Sequence, residues 1–79
     1  MTSATVLYFA SLRDAAGIDR EAVAFDGDLR VLYAALRARH GFALPVERLR
    51  VAVDGAFAHW DEVPRDGAEI AFIPPVSGG

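Results

Sequence analysis

The stretch that decides the fold is Asp28-Leu-Arg-Val-Leu-Tyr-Ala-Ala-Leu-Arg-Ala-Arg-His-Gly41. Leu29, Leu32, Tyr33 and Leu36 recur at spacings of three and four, which predicts a helix over 29–40 with a single apolar stripe. Asp28 suits the N-cap, because its carboxylate can accept the free amide hydrogens of the first turn. Arg37, Arg39 and His40 fall at the C-terminal end, where cations oppose the helix dipole. Gly41 then ends the helix. His40 is read there as a terminal cation rather than as a ligand.

The segments on both sides of it read mainly as strands. Upstream, Ala4-Thr-Val-Leu-Tyr-Phe9 is rich in β-branched and aromatic residues and predicts a strand. It runs into a short helix, Ala10-Ser-Leu-Arg-Asp-Ala-Ala16, closed by Gly17. Glu21–Phe25 alternates, with Val23 and Phe25 on one face, and predicts a second strand. Downstream, Pro45 opens a loop, and Leu49, Val51 and Val53 alternate with Arg50 and Ala52 in a third strand. Asp54-Gly55 is a hairpin turn signal, and Ala56-Phe-Ala58 returns as a short fourth strand. Asp66-Gly67 marks another turn before Glu69-Ile-Ala-Phe-Ile73. That last strand is apolar on both faces, which predicts a central position buried on two sides. The order is that of an α+β ubiquitin-like β-grasp: a mixed sheet of about five strands with one long helix packed on one face. Residues 1–73 are expected to form the domain, and residues 74–79 a flexible tail.

Composition bounds the function. The 79 residues are 53% apolar and 24% charged, the balance of one small soluble domain. There is no cysteine, which excludes disulfides, thiolate metal sites and a cysteine nucleophile. A net charge of −3 argues against nucleic acid as a partner. The longest apolar run, Ile70–Val76, contains two prolines and falls far short of the ~20 residues a membrane span requires. The first residues carry no basic side chain, so no signal peptide is read, and the expectation is a cytoplasmic protein without membrane contact. All eight basic residues are arginine, and a phosphate loop, which requires lysine, is excluded. His40 and His59 lie too far apart for metal-ligand spacing, so no metal is expected. His59-Trp-Asp-Glu62 puts a histidine beside carboxylates, the raw material of a general base. Adjacent side chains seldom converge on one substrate, and a hydrolase built there is the weakest reading. Trp60 is expected to be exposed or to pack on the sheet edge.

The tail is the unusual feature: Ile73-Pro-Pro-Val-Ser-Gly-Gly79. Two prolines stiffen the exit from the last strand and stop further pairing. Six extended residues then reach roughly 20 Å. A frayed terminus has no use for an apolar stem. A segment that threads a narrow protein tunnel does, and glycine at the tip leaves the terminal carbonyl carbon unhindered.

Two segments carry a resemblance: Tyr8-Phe-Ala-Ser-Leu-Arg-Asp-Ala-Ala-Gly17 and Asp66-Gly-Ala-Glu-Ile-Ala-Phe-Ile-Pro-Pro-Val-Ser-Gly-Gly79. Over essentially its whole length the sequence resembles the small subunits of molybdopterin synthase, sulfur carriers of β-grasp fold. The Gly-Gly ending is common to ubiquitin-like carriers; Pro-Pro-Val-Ser-Gly-Gly after an Asp-Gly turn is more specific to the molybdopterin branch. Residues 59–64 carry no family motif. The resemblance implies a covalent carrier that binds no cofactor of its own. An adenylyltransferase similar to ubiquitin-activating enzymes would consume ATP to adenylate the Gly79 carboxylate, and a sulfur donor would convert it to a thiocarboxylate. Pro74, Pro75, Val76, Ser77 and Gly78 would thread into the large synthase subunit of a heterotetramer. There the sulfur would attack cyclic pyranopterin monophosphate, with the catalytic side chains supplied by the large subunit. Docking is expected to use Phe72, Ile73 and Val76, with Arg13 as a charged contact through its match to the opening motif. The alternatives are a sulfur carrier for thiamine or cysteine biosynthesis, and a β-grasp interaction module without covalent chemistry.

Overall fold

A computed structural model describes residues 1–75. The chain forms strand β1 (Thr2–Tyr8), helix α1 (Ala10–Ala16), strand β2 (Arg20–Phe25), helix α2 (Leu29–His40), a 3₁₀ turn at Val46–Arg48, and strands β3 (Arg50–Val53), β4 (Ala56–Ala58) and β5 (Ala68–Ile73). The five strands make one mixed sheet in the order β2-β1-β5-β3-β4. β1 and β5 run parallel, with Tyr8 opposite Phe72, and the other pairings are antiparallel. This is the α+β arrangement that the sequence pattern predicts.

Local chemistry sets the element ends. The Asp28 carboxylate accepts from Val31 N–H at 2.9 Å. Two more first-turn amides, of Leu29 and Arg30, donate to the carbonyls of Glu62 and Trp60. Orphan N–H groups of a helix start need such partners. The 59–62 segment therefore closes the helix, a job its side-chain chemistry does not announce. At the other end Gly41 takes φ 74°, and its N–H bonds to the carbonyl of Arg37. The β3–β4 hairpin turns through Asp54 and Gly55, with φ 51° and 87°. Two positive φ values are what a type I′ hairpin loop requires, and Asp-Gly satisfies them at low cost.

Leu29, Leu32, Tyr33 and Leu36 of α2 pack onto Ala4, Val6 and Tyr8 of β1, Val51 of β3, and Ala68, Ile70 and Phe72 of β5. Tyr33, Trp60 and Phe72 pack as an aromatic cluster, with Trp60 stacked on Phe72 at 5.8 Å and nearly coplanar. Such pairs contribute about 0.5–1.5 kcal/mol each beyond their buried area. Trp60 is thus a half-buried flank of the core rather than an edge ornament.

One expectation is corrected. β5 is central, but it is not buried on two sides. Its inner residues Ala68, Ile70 and Phe72 are buried, whereas Glu69 is exposed and Ala71 and Ile73 are half-buried. A chain this short supplies one long helix, and that helix covers one face only. Among the described residues the other face stays open.

Candidate functional site

The site is built from the end of β5 outward. Because β1 and β5 are parallel and end in register, α1 and the tail stem leave the sheet at the same end. The β1–α1 corner turns through Ala10, whose φ of 50° is unusual for a residue with a Cβ. It leaves the preceding Phe9 44% exposed. Arg13 is exposed in the last turn of α1.

On the other flank Ile73 pairs with Arg50 of β3. Pro74 and Pro75 then run beside the 3₁₀ turn, and together with Glu47, Arg48, Leu49 and Arg50 they line a groove of about 280 Å³. Proline has no N–H to offer, so ladder pairing ends here while the backbone stays extended. Arg50 also lies over the Phe57 ring, 5.4 Å from its centroid, and Phe57 is 67% exposed on the open face. The stem therefore starts at an open, partly apolar corner with arginines beside it.

The residues expected to face a partner separate into groups. Ile73 and Arg13 are accessible. Phe72 is 0% exposed, enclosed by Tyr33 and Trp60, and is corrected to a core residue. The reason is strand periodicity: neighbours on a strand point to opposite faces, so Phe72 and Ile73 cannot share a surface. Val76, Ser77, Gly78 and Gly79 lie outside the described residues.

The conventional catalytic candidates do not assemble. His59 is exposed and its ring forms no hydrogen bond among the described residues. His40 proves more than a terminal cation. Its Nε2 lies 2.7 Å from Glu21 Oε1. Tyr8 Oη donates to the same oxygen, and Arg39 stands 3.5 Å from Oε2. An ionised carboxylate only accepts, so the histidine nitrogen carries the hydrogen. Partial burial pushes the Glu21 carboxyl up, but the hydrogen bonds from Tyr8 and His40 and the charges of His40 and Arg39 outweigh it and hold it below its ordinary value. Burial, reinforced by the carboxylate, pushes the Tyr8 phenol far up, so it stays a donor. The cluster ties the end of α2 to β1 and β2. The signal was present: Glu21 shares the inward phase of Val23 and Phe25, and a carboxylate placed there requires partners.

The ThiS family pattern matches residues 6–79, which is nearly the whole chain and runs through the final glycine. The chain belongs to the ThiS family. The molybdopterin synthase sulfur carrier subunit of Escherichia coli (strain K12) is 40% identical over 78 residues, covering 94% of this chain and 96% of that protein. The subunit of the same name from Haemophilus influenzae is 35% identical over 80 residues, with the same coverage. Among solved structures, SAMP1 from Haloferax volcanii superposes with a TM-score of 0.80 at 31% identity, covering 98% of this chain and 99% of that one. As a ThiS-family chain, this protein has a buried aromatic core at the end of β5 and an accessible stem immediately after it.

Proposed function

We propose that this protein is the sulfur carrier subunit of a molybdopterin synthase. The observation that carries the reading is the 40% identity, over nearly the full length of both chains, to a subunit so named. The reading divides the chain into a β-grasp domain, residues 1–73, and a working tail, residues 74–79.

A carboxylate is a poor electrophile, so the Gly79 carboxylate is first activated. Its oxygen attacks the α-phosphorus of ATP on an adenylyltransferase, giving an acyl-adenylate and releasing pyrophosphate. A sulfur donor then displaces AMP and leaves a thiocarboxylate. In the large synthase subunit that sulfur attacks cyclic pyranopterin monophosphate, and hydrolysis returns the carboxylate. Two loaded carriers supply the two sulfurs of the dithiolene. This chain holds no catalytic side chain in the scheme; Gly79 presents the reacting group, and Gly78 keeps the segment behind it slim. Docking a folded domain makes the transfer effectively intramolecular, and such positioning can remove roughly 7–11 kcal/mol of barrier. Ile73 and Arg13, accessible at the tail end of the sheet, are the docking contacts on this chain.

The test is a Gly79 deletion and, separately, one alanine added after Gly79. Both are expected to keep the thermal unfolding of the parent and to lose the sulfur-for-oxygen mass increase of the C-terminal peptide after incubation with ATP, activating enzyme and sulfur donor. An extended protein that still supports dithiolene formation would sink the reading. A carrier that loads sulfur but passes it only to a thiamine or cysteine precursor would keep the chemistry and change the pathway.

A further inference from the structure

The other side of the molecule carries a feature the sulfur chemistry does not use. In a chain of net charge −3, α2 holds three of the eight arginines and no carboxylate. Arg39 is engaged by Glu21. Arg30 and Arg37 lie one above the other along the exposed flank, with Ala34 and Ala38 on the same flank. Arg30 sits in the first turn, at the positive end of the helix dipole, where the acidic groups are the Asp28 N-cap and Asp61 and Glu62 of the segment that closes the helix start, and none of them forms an ion pair with Arg30 among the described residues. A cation at that end works against the helix.

These residues form one wall of a groove of about 510 Å³. The opposite wall is the chain from Gly41 to Glu47. That wall is fixed in advance. Tyr33 Oη donates to the carbonyl of Leu44 at 2.6 Å, and Arg37 donates to the carbonyls of Phe42 and Ala43 at 3.0 and 3.2 Å. Arg37 thereby spends two of its five donors and keeps its charge. The apolar lining comes from Ala34, Ala38, Pro45 and Val46, and among the described residues Glu47 is the one carboxylate in the lining.

We infer that this groove docks an acidic protein segment, with carboxylates against Arg30 and Arg37 and an apolar side chain between them over Ala34, Ala38 and Val46. Charge complementarity selects the occupant: the lining offers two cations against one carboxylate, and the apolar strip between them suits a peptide side chain. α2 covers the inner face of the sheet, so the groove lies on the far side from the open face. The carrier can thus be held from behind while its open face and tail are engaged. The inference does not rest on the sulfur-carrier reading, since its experiment uses the isolated full chain and leaves Gly79 unaltered.

The probe is a capped peptide of alternating glutamate and leucine, titrated into the isotope-labelled protein and followed by amide chemical shifts. Saturable shifts at Ala34, Ala38, Phe42 and Val46, weakening with salt, are expected. Arg30→Glu is expected to reduce the affinity about tenfold or more without lowering the melting temperature, because the new carboxylate suits that end of the helix. Arg20→Glu changes the net charge equally, on the open face, and is expected to leave the affinity unchanged. Equal losses in the two variants, equal binding of the glutamine version of the peptide, or shifts confined to the open face would overturn the inference. So would tighter saturation of the same amides by a single-stranded oligonucleotide, or no saturable shift at millimolar peptide.

Discussion

Ile70 and Phe72 belong to the same strand as Ala71 and Ile73, yet the two pairs live in different environments. The first pair is sealed beneath α2, and the second lies on a face that no element among the described residues covers. Both sides of the strand end on a large apolar residue, Phe72 inward and Ile73 outward, although the outward side also carries Glu69. What separates them is the supply of covering elements: one long helix seals one layer. Side chains of one face hold the fold, and those of the other are left available to a partner.

The largest effect belongs to Phe72→Ala. Truncating a fully buried phenylalanine costs about 3–5 kcal/mol, a large part of the stability of a domain this size. Trp60, the only tryptophan, stacks on Phe72 and reports the loss directly. The variant is expected to unfold at much lower urea concentration, with altered native fluorescence. A variant as stable as the parent would place Phe72 on a surface and erase the distinction between the faces.

Glu21 brings charge into the inward phase of β2, opposite Val6 of β1. Glu21→Ala strips the buried Tyr8 hydroxyl of its partner and is expected to cost about 1–3 kcal/mol. Glu21→Gln keeps an acceptor and removes the charge. The folded-state pKa of Glu21 is lowered, so its contribution is complete above the ordinary carboxylate value of about 4.3 and is lost as pH falls through the folded value. Urea titrations from neutral to strongly acidic pH are expected to give a shallower acid loss in Glu21→Gln than in the parent. Identical acid profiles would mean that the cluster carries no proton linkage.

These residues also mark what a sequence makes legible. The α2 stripe, both glycine C-caps and the Asp54-Gly55 hairpin are local: a few neighbouring residues fix each, and each is where the pattern predicts it. The central place of β5 was legible from its apolar content. Its one-sided burial was not, because burial depends on how many layers the chain can supply. Phe72 lies near the tail in sequence, yet the two-residue period of the strand sets it on the side of Ile70, opposite Ile73. The Glu21–His40 contact joins residues nineteen apart in sequence. The carbonyls of Trp60 and Glu62 cap a helix some thirty residues upstream. Such contacts follow from the folded topology, and the only trace they leave in sequence is a polar residue in an apolar phase.

The smallest effect on stability, and the sharpest contrast with Phe72, belongs to its neighbour. Ile73 is half-buried on the open face, opposite Arg50 and at the root of the stem. Ile73→Ala removes little area from the folded core and is expected to cost about 1 kcal/mol or less. Its Trp60 fluorescence is expected to match the parent, since the stacking partner is untouched. If the open face is where the synthase partner sits, the same truncation weakens the complex far more than it weakens the fold. Isothermal titration with the purified large subunit, set beside urea unfolding of the free carrier, separates the two quantities. A large loss of stability with unchanged partner affinity would assign Ile73 to the core and leave the open face without its proposed use.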